Sequence, residues 1–426
     1  MTKLLDHHGA PINTALLKTE MATPSLTGVR RILSSHPAQG LTPQHLAQLL
    51  IAAESGHPET YLALAEEMEE KYLHYGAVLN TRKRAVQGLE IVVEAAGDEA
   101  DSQAHANLAR ELIPLVDAAL YDIMDAVGKG YSVIETLWDT SEKQWMPQEL
   151  VWRDPRWFVF SRLDGRTLRL RDGLIHAIPG AEMYADGLPL PPYKFIQHTV
   201  AAKSGLPIRG GIARAVAWSY LFQNYAIKDW VVFAEIYGQP IRIGKYEDGA
   251  TSPEQIQILL DALRAIGADA AAALPKSMEI TLEGAQGKAS PDIYQNLAEF
   301  MNAQVSKYVL GQTLTTETSS RGGGAFALGK VHNDVRYDIL HSDCRQLTTT
   351  LNRDLVRGLI DLNFGTQQHY PKLVVRFNEP EDLAAMAANL EKIVPLGAPV
   401  PVKWMLDKFG IPEARAGEAV LVVGRG

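Results

Sequence analysis

The sequence has a single cysteine, Cys344, among its 426 residues. An intramolecular disulfide and a cysteine-based zinc cluster are thereby excluded within one subunit, and Cys344, set in a helical pattern, reads as a structural thiol. Positive charge is also short. The formal net charge of -9 argues against a surface that grips nucleic-acid phosphates, though an acidic wall would let DNA slide past. Long uninterrupted apolar runs are missing as well. The first twenty residues contain no apolar h-region, so no secretory signal is expected and the chain reads as cytoplasmic. The most apolar segment, 211–237, would extend roughly 40 Å as a helix, but Gln223-Asn224 and Lys228-Asp229 interrupt it, which disfavours a membrane span. No Gly-x-Ser-x-Gly elbow displays a nucleophile, and no internal repeat is visible.

What is present is ordinary globular composition, 46% hydrophobic and 21% charged, in a length that suits roughly two to four domains. Thr42-Pro43, a cap residue and a first-turn proline, predicts a helix start. From Pro58, Tyr61, Leu64, Ala65, Met68, Tyr72 and Tyr75 recur at helical spacing, predicting one helix through to about residue 88. LEIVVEAAG then alternates like a strand; a helix is expected over 104–124, strands over 131–137 and 149–160, and a hairpin around Leu163-Asp164-Gly165. The segment 211–237 carries Trp218, Phe222, Tyr225, Trp230 and Phe233 around its whole circumference. A soluble helix apolar on all sides must be covered on all sides, so these residues predict packing against neighbouring subunits. A small strand-helix-strand insert follows, then a second long helix after Ser290-Pro291, a polar glycine-rich loop, helix over 330–362, and a final strand-helix-helix series.

The loop offers the first chemical candidate. Gly324 to Lys330 has the spacing of a phosphate-binding loop, but Val331 stands where a magnesium-binding Ser or Thr is needed, and no buried strand precedes it. Asp334, Asp338 and His341 fall at i, i+4 and i+7 and could share a divalent ion with His332 and Asp343 nearby; a solvated or intersubunit polar face explains the spacing without one, so no metal and no cofactor is expected. Arg82-Lys83-Arg84 sits late in a helix, where cations complement the macrodipole or meet another subunit. Glu379, before Pro380, reads as a helix cap.

The strings NTRKRAVQGLEI, GYSVIETLWD, WRDPRWFVF, IYGQPIRIGKY, LGQTLTT, GKVHNDVRYDIL, TLNRDL, LNFG, NEPEDL and KFGIPE, with the order of elements around them, make the chain resemble the portal proteins of tailed bacteriophages, in the branch of Mu-like phages and prophages. The similarity runs from about Tyr61 to Val420. The resemblance implies an α+β fold with an N-terminal arm (1–57), an α+β wing (58–210), a first stem helix (211–238), a clip (239–288), a second stem helix (289–311), a channel loop (312–329), a returning wing segment (330–395) and a short crown-proximal region (396–426). It implies no enzymatic activity: a homo-oligomeric ring, twelve subunits by expectation, at one capsid vertex of the virion, assembled in the host cytoplasm. Double-stranded DNA would pass through it without sequence reading. The expected partners are the terminase large subunit, head-tail connector proteins, scaffold and major capsid protein, and no membrane. In the channel loop, Thr313, Thr315, Thr316, Ser319 and Ser320 would offer neutral contacts. Gly322, Gly323 and Gly324 would supply conformational freedom, and Arg321 and Lys330 transient phosphate contacts. Two other readings stay open at this stage: a nucleotide-dependent packaging enzyme using Gly324 to Lys330, and a head protein without a channel.

Overall fold

The computed structural model describes residues 4–5, 9–32, 36–171, 187–237, 242–247, 249–265, 271–278, 292–313, 325–377 and 383–414, with backbone alone for 236–237, 242–243, 264–265, 271–272, 325–334 and 384–385. The chain divides into two units, Met1–Phe377 and Asn378–Gly426. The first opens with α1 (Ala15–Lys18), α2 (Pro43–Glu54), α3 (Glu59–Lys71), α4 (Leu73–Gln87), β1 (Glu90–Glu94), α5 (Ala100–Arg110), α6 (Ile113–Ile123) and α7 (Ala126–Lys129). Strands β2 (Tyr131–Asp139), β3 (Met146–Arg153), β4 (Phe158–Phe160), β5 (Leu168–Leu170), β6 (Leu188–Pro189) and β7 (Phe195–Thr199) follow. Then come α8 (Ala213–Tyr237), β8 (Arg242–Tyr246), α9 (Pro253–Ala265), β9 (Ala271–Pro275), α10 (Asp292–Leu310) and α11 (Ala325–Leu351). A π turn (Asn352–Val356), α12 (Arg357–Phe364) and β10 (Lys372–Arg376) complete the unit.

The core forms around β2, which pairs antiparallel with β3 on one side and β7 on the other. Residues 131–136 of β2 are buried on both faces of the strand, as a strand covered on both sides should be. β1 pairs antiparallel with β10, joining Ile91 to Val375 across most of the sequence. The insert is a parallel pair, β8 with β9, connected through α9, which is the smallest form of a βαβ unit. Thr42 caps α2 as its sequence suggested, its hydroxyl accepting from the His45 N–H at 3.2 Å. In the second unit, α13 (Leu383–Ile393) and α14 (Val402–Lys408) carry half-exposed apolar stripes, and α14 buries no residue.

Four sequence expectations need correction. The strand expected over 149–160 is two, β3 and β4, which lie in different sheets and are separated by a 3-10 turn at Pro155–Trp157. The helix expected from 58 to 88 is two helices, because Tyr72 leaves helical geometry with ψ 83°. Its ring stacks on Tyr220 at 5.8 Å and its hydroxyl donates to Asn302. Gly76 permits the tight break, since a Cβ there would lie 2.6 Å from the Glu69 carbonyl oxygen. The helix expected over 104–124 is also two, with Pro114 in the first turn of the second, where its missing N–H costs nothing. The described residues among the first 57, expected as an arm, lie back on the body. Leu17, Ala22, Leu46 and Leu50 join the core. Glu379 lies outside the described residues.

Candidate functional site

Phe233 meets Tyr294 at 5.8 Å, while Tyr72 touches both Tyr220 and Asn302, so α8 and α10 form an antiparallel hairpin. Its two halves differ in burial. At the base, Ala213, Val216, Ala217, Tyr220 and Leu221 of α8 and Val305, Val309 and Leu310 of α10 are buried in the body. Toward the other end, α8 exposes Ile227, Val231 and Val232 while α10 exposes Ile293, Leu297 and Phe300. Val231 is 53% exposed and Phe300 56%. Of the five aromatic residues singled out from the sequence, Trp218, Phe222 and Tyr225 are exposed, and Trp230 and Phe233 half-buried. Tyr225 also serves its own chain, donating to the Leu41 carbonyl at 2.8 Å. A contiguous exposed surface of this kind on a folded subunit marks an interaction site.

The base is fixed by charge. Arg82 reaches Asp343 with two N–H donors at 2.7 and 2.8 Å and donates a third bond to the Val309 carbonyl at the end of α10. One guanidinium therefore ties α4, α10 and α11 together, and its charge complements the helix C-terminus. Helix-end electrostatics was the right physics for Arg82, but the helix is α10, not its own. Lys83, read with Arg82 as a helix-end or subunit-contact cation, is buried beside Asp125. Asp338 and His341 are exposed, whereas Asp343 is buried on Arg82; the side chains of His332 and Asp334 lie outside the described residues, and no group of metal-ligating side chains is found among those described. Cys344 is buried, and burial pushes its thiol pKa up to about 12, consistent with a structural role.

Beyond Leu310 the chain turns at Gly311, whose φ of +72° suits glycine, and a Cβ there would lie 2.5 Å from a Val335 methyl. Gly311→Ala is therefore expected to destabilise the protein by roughly 1–2 kcal/mol from backbone strain before any clash, read as a lowered urea midpoint at unchanged slope. Within the expected loop, Thr313 is the last described residue before Ala325. Thr315, Thr316, Ser319, Ser320, Arg321, Gly322, Gly323 and Gly324 lie outside the described residues. Helix α11 starts at Ala325, so 325–329, expected in the loop, is helical and Lys330 stands in its second turn. The element before the loop is helix α10, which removes the strand that a phosphate-binding loop requires.

A second buried network went unread in the sequence. Glu135, in the middle of β2 and fully buried, accepts the N–H groups of Met21 and Ala22 at 2.6 and 3.1 Å and Arg153 Nε at 2.9 Å, with Lys194 Nζ at 3.3 Å. Lys194 also donates to the carbonyls of Leu17 and Thr136, and burial lowers its ammonium pKa. The available signal was a glutamate at the centre of the alternating apolar run Tyr131–Trp138.

The family model described as the portal protein of Mu bacteriophage matches residues 62–411. The chain belongs to this portal family. Mu-like prophage FluMu protein gp29 of Haemophilus influenzae is 35% identical over 99% of this chain and 80% of that protein. The portal protein of Escherichia phage Mu is 33% identical over 99% of this chain and 81% of its own. Among solved structures, a chain of the virion of a native gene transfer agent particle is similar at 13% identity, covering 87% of this chain and 95% of that one with TM-score 0.43. An HK97 family phage portal protein from Corynebacterium diphtheriae is similar at 11% identity, covering 73% and 94%, with TM-score 0.34. No helix among the described residues is long and apolar enough to cross a membrane.

Proposed function

We propose that this portal protein forms a homo-oligomeric ring, twelve subunits by expectation, at a capsid vertex, and that DNA enters and leaves the virion through its centre. The observation that supports the reading best is the half-embedded hairpin of α8 and α10. Its base is bound into each subunit by core residues and the Arg82 clamp, while its apolar flanks await a neighbour. A head-to-tail interface of this kind closes into a ring when its rotation closes. In this reading 58–210 is the wing, the hairpin the stem, 239–288 the clip that docks the terminase motor and later the connector, and 312–329 the segment facing DNA. The protein acts passively, with force from the motor, and no residue is assigned a catalytic role.

Negative-stain images of the purified protein test the ring: particles with a central hole are expected, and monomers or closed shells would defeat the reading. The channel segment has its own test. Replacing Gly322, Gly323 and Gly324 together with alanine is expected to reduce packaged DNA several-fold while rings still assemble, because each glycine's backbone freedom is lost. Normal packaging would remove the loop from the channel reading.

A further inference from the structure

Beneath the hairpin base lies a hub of buried charge in which the carboxylates outnumber the cations. Lys129 Nζ stands 2.8 Å from Asp125 Oδ2 and 3.1 Å from Glu66 Oε2, and Lys83 Nζ 3.3 Å from Asp125 Oδ1. Two ammonium groups thus meet two carboxylates at close range. Glu69 is the third carboxylate, and its ion-pair contact among the described residues, Oε2 to Lys83, is a long 3.8 Å. Its other oxygen, Oε1, is buried without a hydrogen-bond partner, and so is the hydroxyl of Tyr75. Both atoms face the same spot: a methyl group placed on Gly128 would lie 3.2 Å from Glu69 Oε1 and 3.3 Å from the Tyr75 oxygen.

We infer that Glu69 binds a proton on Oε1 and sits in the folded subunit as a neutral carboxylic acid, so that Lys83 and Lys129 are balanced by their close partners Asp125 and Glu66, with Asp122 exposed to solvent beside them. An ionised third carboxylate would leave a buried charge short of partners, an arrangement proteins avoid by neutralisation. The groups facing the hub pull both ways: Lys129 and Lys83 favour the ionised form of Glu69, and burial and Asp125 outweigh them. Helix α3 contributes Tyr61 and Glu66, α4 contributes Tyr75 and Lys83, α6 contributes Tyr121 and Asp122, and α7 contributes Lys129 with Asp125 just before it; Arg214 of α8 acts on Tyr61. The rings of Tyr121 and Trp152 stack over Lys83 and Lys129. Burial, then the charge of Asp125, pushes the Glu69 pKa up to about 7 from 4.5. Burial would also raise Asp125, but Lys129 and Lys83 overcome it and hold that carboxyl below its ordinary value. Tyr75 is raised well above its usual range by burial, so its phenol stays neutral.

The hub adjoins the hairpin base: the N–H of Ile212, just before α8, donates to the Val127 carbonyl of α7 at 3.0 Å. For an acid whose pKa is raised by folding, the stabilising contribution is complete below about 4.5 and is lost as pH rises through about 7. Thermal unfolding of the full-length protein from about pH 5 to about pH 8.5 should therefore show wild type falling several degrees relative to Glu69→Gln, which mimics the neutral acid. Parallel profiles would overturn the assignment. A second measurement needs no variant: infrared spectra of the wild-type protein with 13C-labelled glutamate should show a protonated carboxyl band that vanishes near neutrality. A spectrum at about pH 6 holding only carboxylate bands would overturn it too.

Discussion

Phe222→Asp combined with Val231→Asp is expected to leave a folded subunit that no longer makes rings. The two side chains are 42% and 53% exposed in the isolated subunit, so neither contributes much to its own core. Surface substitutions at such positions shift stability by about 0.5 kcal/mol or less. In a ring the same side chains would be buried, each contributing roughly 1.5–3 kcal/mol, and a carboxylate in their place would also have to be desolvated. Losing about 3 kcal/mol weakens each contact by more than a hundredfold, and a closed ring needs every contact. Size-exclusion chromatography and negative stain should show single subunits, with circular dichroism and melting of the subunit unchanged. Leu163→Asp serves as the control, because Leu163 is 92% exposed on the β4–β5 turn and outside the hairpin. Rings that persist at wild-type concentration would remove the hairpin flanks from the interface.

The hairpin and the βαβ insert were legible because they are governed by periodicity and caps. Trp218 to Phe233 cover the helix circumference, Ser252 precedes Pro253 at the start of α9, and apolar residues stop at glycine or proline on either side. The breaks were not legible for the opposite reason. Apolar spacing continues straight through Tyr72, and only the tertiary partners Tyr220 and Asn302 make leaving the helix worthwhile. The buried charges escaped as well, since an isolated Lys83, Asp125 or Lys194 looks like surface in a linear reading. Their partners come from Glu69, from Lys129, and from Glu135, positions that the fold brings together. The start of α11 at Ala325 shows the same limit, because GGG followed by AFALGKVH carries a helix signal only after the glycines end.

The N-terminal segment depends on one of those charges, and Glu135→Gln should reveal it. The carboxylate accepts two backbone N–H groups from Met21 and Ala22, an Arg153 donor and the Lys194 charge, all with no solvent to replace it. Glutamine keeps the shape but supplies one acceptor oxygen and no charge, so Lys194 is left buried with only carbonyl partners. Breaking a buried pair in this way costs about 3–5 kcal/mol. The loss should appear first as local opening: limited proteolysis between residues 9 and 32 is expected to accelerate before the rest of the chain is attacked, and the urea midpoint should drop. Glu20→Gln tests the other end of the same network. Its side chain is 39% exposed beside Arg153, and an exposed ion pair is worth about 1 kcal/mol or less, so this variant should stay near wild type. If the two variants were equally mild, Glu135 would be a tolerated burial and the N-terminal segment would be held by Leu17 and Ala22 instead. If Glu135→Gln alone is severe, and Glu135→Met with Lys194→Met recovers part of the loss, the cost lies in the stranded ammonium.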